Sequence, residues 1–428
     1  MKILIVTAWY APFIHPRAHR WVALAEHWAA EGHAVQVVTA RLRGCPDESL
    51  LEGVEVHRVG FDSLKEVAYY YFSSHRARGR VGIQPQGPGR FGRIIAWLYT
   101  AFWKTIFFPD DACVWYFPAR RRVLSLLRRE QPDLLISVSL PFTGHLLGLA
   151  AKRHFPALRW LADIGDPFAY RVPPPNNTFL YGNINQRLER EVLEKSDAQR
   201  VTTTATLLKY REIFGEQSVR NMQVIPPLLK QNTVAPAASG ILSEAETIRL
   251  GFFGALYAPI RTPDAFLDLL AQVFALQPEW QKRLQVHWYG EVFPEFYEKL
   301  SRFPNITLHG LRSREEVHTA MQDMDVLINI GNITDFQLPS KAVDYLASGK
   351  PVLNLSYTKF DPFADFFGDN NLIFNVKVVD GKLAPPDVLR WLRWLETPKL
   401  PPDSGALEER LAPFRTEAIG EAYLRGER

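Results

Sequence analysis

Between Asp335 and Val352 the chain gathers residue types suited to a phosphorylated ligand. Pro339, Ser340 and Lys341 open a predicted helix over 340–348. Free backbone N–H groups, the Ser340 hydroxyl and the Lys341 ammonium then meet near its N-terminus as a cradle for a diphosphate. Asp344 lies four residues after Ser340 and faces the same way. A carboxylate there can accept both hydroxyls of a ribose, as acidic residues do in other nucleotide sites; the plainer reading is a solvated helix residue. A second candidate follows the first predicted strand, where His15, Arg17 and Arg20 stand at a helix start. Dipole and cations together suit an anionic ligand there, and a solvated helix start is the alternative.

Other motifs fail on spacing. The turn Trp9 to Arg20 contains no glycine, so no G-x-G-x-x-G follows the first strand, and a nicotinamide or flavin cofactor is not expected. Gly349-Lys350 is followed by Pro351 and lacks a glycine five residues earlier, which excludes a P-loop. Asp323 and Asp325 could hold a metal beside a diphosphate, but they read better as a helix end and a strand cap; no metal is expected.

These residues need a frame to hold them, and the pattern supplies one. Apolar strands are predicted at Lys2–Ala8, Ala34–Thr39, Val54–Val59, Asp133–Ser139, Arg159–Asp163, Arg200–Thr204 and Met222–Ile225. Between them lie a helix carrying Trp21, Leu24, Ala25 and Trp28 on one face, and helical patterns near 118–130, 143–153, 184–196 and 205–214. After a Pro/Ala/Ser-rich stretch the alternation restarts, with strands at Ile248–Gly254, Gln285–Gly290, Asn305–His309, Val326–Ile330, Val352–Leu355 and Leu372–Val376. A final amphipathic helix is expected over Leu407–Leu424. The fold class is therefore α/β, with two doubly wound Rossmann-like domains facing across a cleft. The expected division is 1–229, a linker at 230–247, a second domain at 248–403, and a C-terminal helix at 404–428 able to pack back on the first domain. Ligands of such sheets bind outside the carboxyl ends of the strands, which puts the expected active site between the domains.

Composition narrows the class. The chain has 428 residues, 47% hydrophobic and 22% charged, which fits globular domains and excludes disorder-dominated or collagen-like classes. Two cysteines, Cys45 and Cys113, cannot build a disulfide framework, and a reducing cytoplasm fits. No apolar run reaches the ~20 residues of a transmembrane helix. Residues 1–230 hold 30 Lys+Arg against 20 Asp+Glu, whereas residues 231–428 hold 20 against 26, so the halves carry +10 and −6. Within the basic half, Gly89 to Phe108 is rich in large apolar residues, with Arg76, Arg78, Arg80, Arg90, Arg93 and Lys104 beside it. That mixture suits the surface of an anionic bilayer, a buried helix with basic flanks being the alternative; no nucleic-acid module is visible.

The segment from Pro339 to Val352 resembles the donor-site signature of GT-B glycosyltransferases, in particular the family 4 (group 1) pattern P-S-K-x-x-E-Y-x-A-x-G-x-P-V. Gly32-His33-Ala34-Val35 resembles the family's G-H-E-V, Asn305 to Gly310 its N-V-x-F-x-G strand, and Met324 to Asn329 its A-D-V-x-V-x-P strand. The resemblance implies that the C-terminal domain binds a nucleotide diphosphate sugar, with Asp344 on the ribose and Gly254 and Arg261 on the diphosphate. It also implies Gly290 and Glu291 at the cleft rim, and a backbone turn at Gly310, Leu311 and Arg312 that reads the base. Each of these turns could instead be a plain strand end. Two positions depart from the family pattern: Phe336 stands eight residues before Asp344, where a first carboxylate is common, and Gly165 stands where a histidine is usual. Asp166 remains, in a stretch similar to the R-D-P-W form of surface-polysaccharide subgroups. The resemblance makes it the acceptor-side base or orienting group, and an Asx-Pro turn is the alternative. Ser139 and His145 belong to the same strand mouth, His145 being either functional or a satisfied loop histidine.

The implied function is transfer of a sugar, of hexosyltransferase type and without a metal, from a nucleotide diphosphate sugar to a hydroxyl of a lipid-linked glycan or other surface-polysaccharide precursor. The protein is expected in the cytoplasm, peripheral on the inner membrane face, with no cofactor and no nucleic acid. Alternatives are a non-catalytic glycosyltransferase-like partner subunit, and a nucleotide-sugar epimerase or sugar-phosphate synthase on the same fold.

Overall fold

The computed structural model describes residues 1–13, 15–60, 104–229, 247–256, 258, 260–334, 336, 338, 341–368, 372–397 and 404–425. The chain divides into two units, Met1–Ile225 with Thr416–Arg428, and Pro226–Arg415.

The first unit is built on β1 (Lys2–Val6), β2 (Ala34–Ala40), β3 (Glu48–Leu51), β4 (Val54–Val59), β5 (Leu134–Val138), β6 (Arg159–Ile164), β7 (Ala198–Val201) and β8 (Met222–Val224), in spatial order β3-β4-β2-β1-β5-β6-β7-β8. All neighbours are parallel except β3, an edge strand antiparallel to β4 that the alternation did not predict. Its sequence, ESLL, is short and half-exposed, so it carries no buried-strand signature. Both faces of β5 are buried, as they must be when helices cover a parallel sheet. Those helices are α1 (Pro16–Ala30), α2 (Tyr116–Glu130), α3 (Thr143–His154), α4 (Thr178–Lys195) and α5 (Thr204–Phe214). In α1, Trp21, Leu24, Ala25 and Trp28 are fully buried along one stripe. Helix α4 begins before the predicted 184, because its first turn exposes Phe179 and Leu180 and has no amphipathic period to read.

The second unit has β9 (Ile248–Phe253), β10 (Leu284–Tyr289), β11 (Ile306–Gly310), β12 (Val326–Ile330), β13 (Val352–Ser356) and β14 (Ile373–Lys377), all parallel in the order β11-β10-β9-β12-β13-β14. Its helices are α6 (Asp264–Leu276), α7 (Trp280–Arg283), α8 (Pro294–Ser301), α9 (Arg314–Gln322), α10 (Ala342–Ala347), α11 (Pro362–Phe367), α12 (Pro385–Glu396) and α13 (Ser404–Leu411). A capping box stands at the start of α9, where Ser313 and Glu316 satisfy each other's backbone N–H groups. Three asparagines run in register across β12, β13 and β14. Asn329 donates to Asn354 at 2.7 Å, and Asn354 to Asn375 at 2.9 Å.

The expected single helix over Leu407–Leu424 is broken. After α13 the chain makes a 3-10 turn at Ala412–Phe414 and resumes as α14 (Thr416–Leu424). Pro413 lacks an N–H and crowds the preceding turn, which ends a helix there. Helix α14 packs on α1, with Trp28 Nε1 donating to the Gly420 carbonyl at 3.3 Å and the Tyr423 ring 5.3 Å from that of Trp21.

Each sheet reverses its winding direction once, between β1 and β5 and between β9 and β12. The loops leaving those strands are the places where doubly wound sheets hold ligands.

Candidate functional site

In the first unit the loops after β1, β5 and β6 meet around Arg17. Its Nε and Nη2 donate to the Ser139 carbonyl at 2.9 and 2.6 Å, and Nη2 lies 3.2 Å from Asp163 Oδ2. Asp163 is buried in β6 and also accepts from Trp21 Nε1 at 3.3 Å and from the Tyr423 hydroxyl at 2.5 Å. Arg20, one turn along α1, is buried over the Tyr423 ring and donates to its hydroxyl at 3.2 Å. Both arginines thus turn into the domain. His15 caps α1, accepting from the Arg17 N–H at 3.2 Å. Burial, and then the charge of Arg17, bring its pKa down to about 4, so at pH 7 it is a neutral imidazole that supplies hydrogen bonds and no charge.

Gly165 sits where the family pattern has a histidine, and the structure supplies a reason. A Cβ at 165 would lie 2.2 Å from Arg17 Nη2, so the guanidinium already fills the space of a side chain. The Gly165 N–H donates to Ser139 Oγ at 3.3 Å, joining the β5 and β6 loops. Asp166 follows, half-buried, and the Phe168 ring stacks on Phe142 at 3.9 Å. His145 lies beneath this mouth, its ring 5.6 Å from that of Phe142. It is buried with Nδ1 2.8 Å from Ser137 Oγ, in the middle of β5, and burial lowers its pKa to about 3.

In the second unit Gly254, Gly290 and Gly310 end adjacent strands and interlock. The Gly254 N–H donates to the Tyr289 carbonyl and the Gly290 N–H to the Gly310 carbonyl, both at 2.9 Å. Gly290 has φ +130°, and a Cβ there would lie 2.1 Å from the Gly254 carbonyl oxygen, so no other residue fits without rearrangement. Arg261 reaches back to this turn. Its Nη1 lies 3.5 Å from the position of a Cβ on Gly254, while Nε and Nη2 donate to Asn332 Oδ1 at 3.1 and 2.8 Å. Asn332 follows β12, so the pair spans the reversal of the sheet. Helix α10 is tied to the same place, because the Phe253 N–H donates to the Tyr345 hydroxyl at 3.0 Å. Next to Tyr345, Asp344 is 5% exposed, with Lys341 Nζ 3.4 Å from its Oδ2. Glu291, Leu311 and Arg312 are exposed at the rim.

The structure therefore brings Gly254, Arg261, Gly290, Gly310, Lys341 and Asp344 to one end of one sheet. Pro339 and Ser340 lie outside the described residues, as do Asp335 and Gln337. Phe336 is buried, so an apolar ring occupies the place of the first carboxylate. Helix α10 is shorter than the predicted 340–348. The acidic pair is structural: Asp325 accepts from the Arg249 N–H at 2.7 Å, and Asp323 closes α9. Lys350 donates to the Met324 carbonyl at 2.6 Å. Among the described residues no group of three or more His, Cys, Asp or Glu could hold a metal ion. Sequence reading missed the parts played by Asp163, Tyr423 and Glu189. A charge inside an apolar strand, and a Glu on the apolar stripe of a helix, were the available signals.

The family model for a glycosyl transferase 4-like domain matches residues 18–227. No curated protein matches the chain. Among solved structures it is similar to sucrose-phosphate synthase from Thermosynechococcus elongatus, at TM-score 0.62 and 14% identity over 99% of this chain and 97% of that one. It is also similar to Anabaena HepE in complex with UDP and glucose, at TM-score 0.57 and 12% identity over 100% and 99%. A further likeness is to WaaG, a glycosyltransferase involved in lipopolysaccharide biosynthesis, at TM-score 0.52 and 14% identity over 99% and 98%. Residues 18–227 are thus a glycosyl transferase 4-like domain, and the whole chain has the two-domain α/β fold of the GT-B glycosyltransferases.

Proposed function

We propose that the protein transfers a sugar from a nucleotide diphosphate sugar, bound by the second unit, to a hydroxyl of a lipid-linked glycan or other surface-polysaccharide precursor. The observation that carries this reading is the convergence of three glycine turns, Arg261 and the Lys341–Asp344 pair at one end of the sheet of the second unit. Turns without side chains let a diphosphate approach the backbone closely, and Arg261 and Lys341 oppose the charge that grows on the leaving diphosphate. Asp344 would accept the ribose hydroxyls, and the Gly310–Arg312 turn would meet the base. The acceptor oxygen forms a bond to the anomeric carbon as the bond from that carbon to the diphosphate oxygen breaks, and Asp166 takes the hydroxyl proton. Of the acceptor-side groups at the start of α1, His15 is the one the reading keeps, Arg17 being committed to Asp163 and the Ser139 carbonyl and Arg20 to Tyr423.

Because the cations named would meet the leaving-group charge, we expect activity to survive chelation of divalent metal. We further infer a cytoplasmic protein peripheral on an anionic membrane; the basic aromatic stretch behind that inference lies mostly outside the described residues. No described helix is long and apolar enough to cross a membrane.

The test is a thermal-shift panel of nucleoside diphosphates with wild type and Asp344→Ala, followed by sugar transfer to a lipid extract with chelator present. A base-selective shift lost in Asp344→Ala, with transfer lost in Asp166→Ala, supports the proposal. Nucleotide binding without donor cleavage would favour a non-catalytic partner. Transfer to a soluble sugar phosphate alone would favour a sugar-phosphate synthase.

A further inference from the structure

We propose that Glu189 and Tyr210 are positioning residues that hold the Asp166 loop in its working conformation, an inference that rests on reading Asp166 as the acceptor-side base. Glu189 lies on α4 and is 2% exposed. Its Oε1 accepts from the Phe168 N–H at 2.6 Å and its Oε2 from the Ala169 N–H at 2.9 Å. From α5, the Tyr210 hydroxyl donates to the same Oε1. A carboxylate taken from water and held by neutral donors is costly, and burial raises its pKa against these hydrogen bonds. An aliphatic residue would fill this place on α4 at lower cost, so the carboxylate is best explained by what it holds.

What it holds is the far end of a very short loop. The near end is fixed already, with the Gly165 N–H on Ser139 Oγ and Arg17 filling the space beside its Cα. Phe168 is fixed twice, through its N–H on Glu189 and its ring on Phe142. Only Asp166 and Pro167 lie between, and the proline further restricts the backbone of Asp166. The carboxylate of Asp166 is thereby aimed before any acceptor arrives, and a base aimed in advance spares the reaction an ordering step. Burial and the Glu189 carboxylate raise the pKa of the Tyr210 hydroxyl, and the charge of Asp166 adds to that rise.

The experiment uses the full chain with Tyr210→Phe and Glu189→Gln. Each variant is assayed for thermal stability, nucleoside diphosphate binding, steady-state transfer, and hydrogen exchange of the 168 and 169 amides. Tyr210→Phe should keep its fold and its nucleotide affinity while kcat falls about 10-fold at unchanged donor KM. Glu189→Gln, which turns an amide N–H toward a backbone N–H, should lose about 100-fold in kcat, and both variants should lose protection at 168 and 169 with β6 still protected. Wild-type kcat in folded variants, or a loss that only tracks the folded fraction, overturns the proposal. A wild-type chain that transfers no sugar, yet protects those amides until Glu189 is changed, overturns the enzymatic reading and keeps the clamp.

Discussion

Asp163 and Gly290 occupy comparable places, each near the carboxyl end of a strand one removed from its sheet's reversal, and they are built on opposite principles. In the first unit a buried carboxylate gathers Arg17, Trp21 and Tyr423, so the strand mouth is held by charge and long side chains. In the second unit the mouth is held by backbone: interlocked glycine turns, a bond from Arg261 to a neutral asparagine, and the asparagine ladder behind them. Side chains that converge leave little room at their centre, whereas turns without Cβ atoms let a ligand come close to the backbone. On the function proposed above, the first mouth would present one carboxylate, Asp166, and the second would wrap a diphosphate.

The sharpest way to break this contrast is to remove the central charge. Asp163→Ala leaves the Arg17 guanidinium without its carboxylate, and we expect a loss of about 3–5 kcal/mol confined to the first unit. Urea denaturation followed separately for each unit would read it; a loss below about 1 kcal/mol would mean that packing, and not charge, holds this mouth. Next is Gly290→Ala, expected to cost the second unit roughly 2–3 kcal/mol and to abolish nucleotide binding. Gly310→Ala is the control. Its φ of +69° is strained for alanine, but its Cβ would meet nothing within 4 Å, so its cost should be about 1 kcal/mol. Equal costs would show that the close approach of Gly290 to Gly254 is unimportant.

Acid separates the effects further. His145 and His15 have pKa values of about 3 and 4 in the folded chain against 6.5 when unfolded. As pH falls below 6.5 the unfolded chain takes up protons that the folded chain refuses. Each histidine then removes up to about 1.4 kcal/mol of stability per pH unit. Asp110 and Glu189, whose carboxyls burial holds above their usual range, act in the opposite sense. The clean measurement is therefore the difference between wild type and His145→Asn, which should shift in favour of the variant from pH 7 to pH 5. A constant difference would contradict the burial of His145. The smallest effect on stability is expected from Arg261→Gln, within about 0.5–1 kcal/mol. Nucleoside diphosphate affinity should nonetheless fall about 10-fold by titration, and unchanged affinity would remove Arg261 from the donor site.

Local signals made most of this frame legible. Strand–helix alternation located every parallel strand to within a few residues, because most of these strands are buried on both faces and read as short apolar runs between turn signals. The glycine turns came from the family resemblance, and the structure gives their physical sense, since a strand end that abuts another backbone admits no side chain. What was hidden is long-range. Nothing near Gly165 announces that Arg17 will fill its missing side chain, and nothing near Tyr423 announces Asp163, 260 residues away. Edge strand β3 was missed because only one partner shapes its composition. The break in the C-terminal helix was missed, although Pro413 was the available signal.

The contact between Tyr423 and Asp163 also sets a timetable. A ribosome makes the first unit's sheet early, yet the last hydroxyl that Asp163 accepts, and the helix that covers Trp21 and Trp28, are synthesised only after all of the second unit. Domains fold as units while the chain emerges. The N-terminal unit is therefore the first begun and the last finished. During the interval its buried carboxylate and tryptophan face lack their cover, and that is when a nascent chain of this protein has most need of a chaperone.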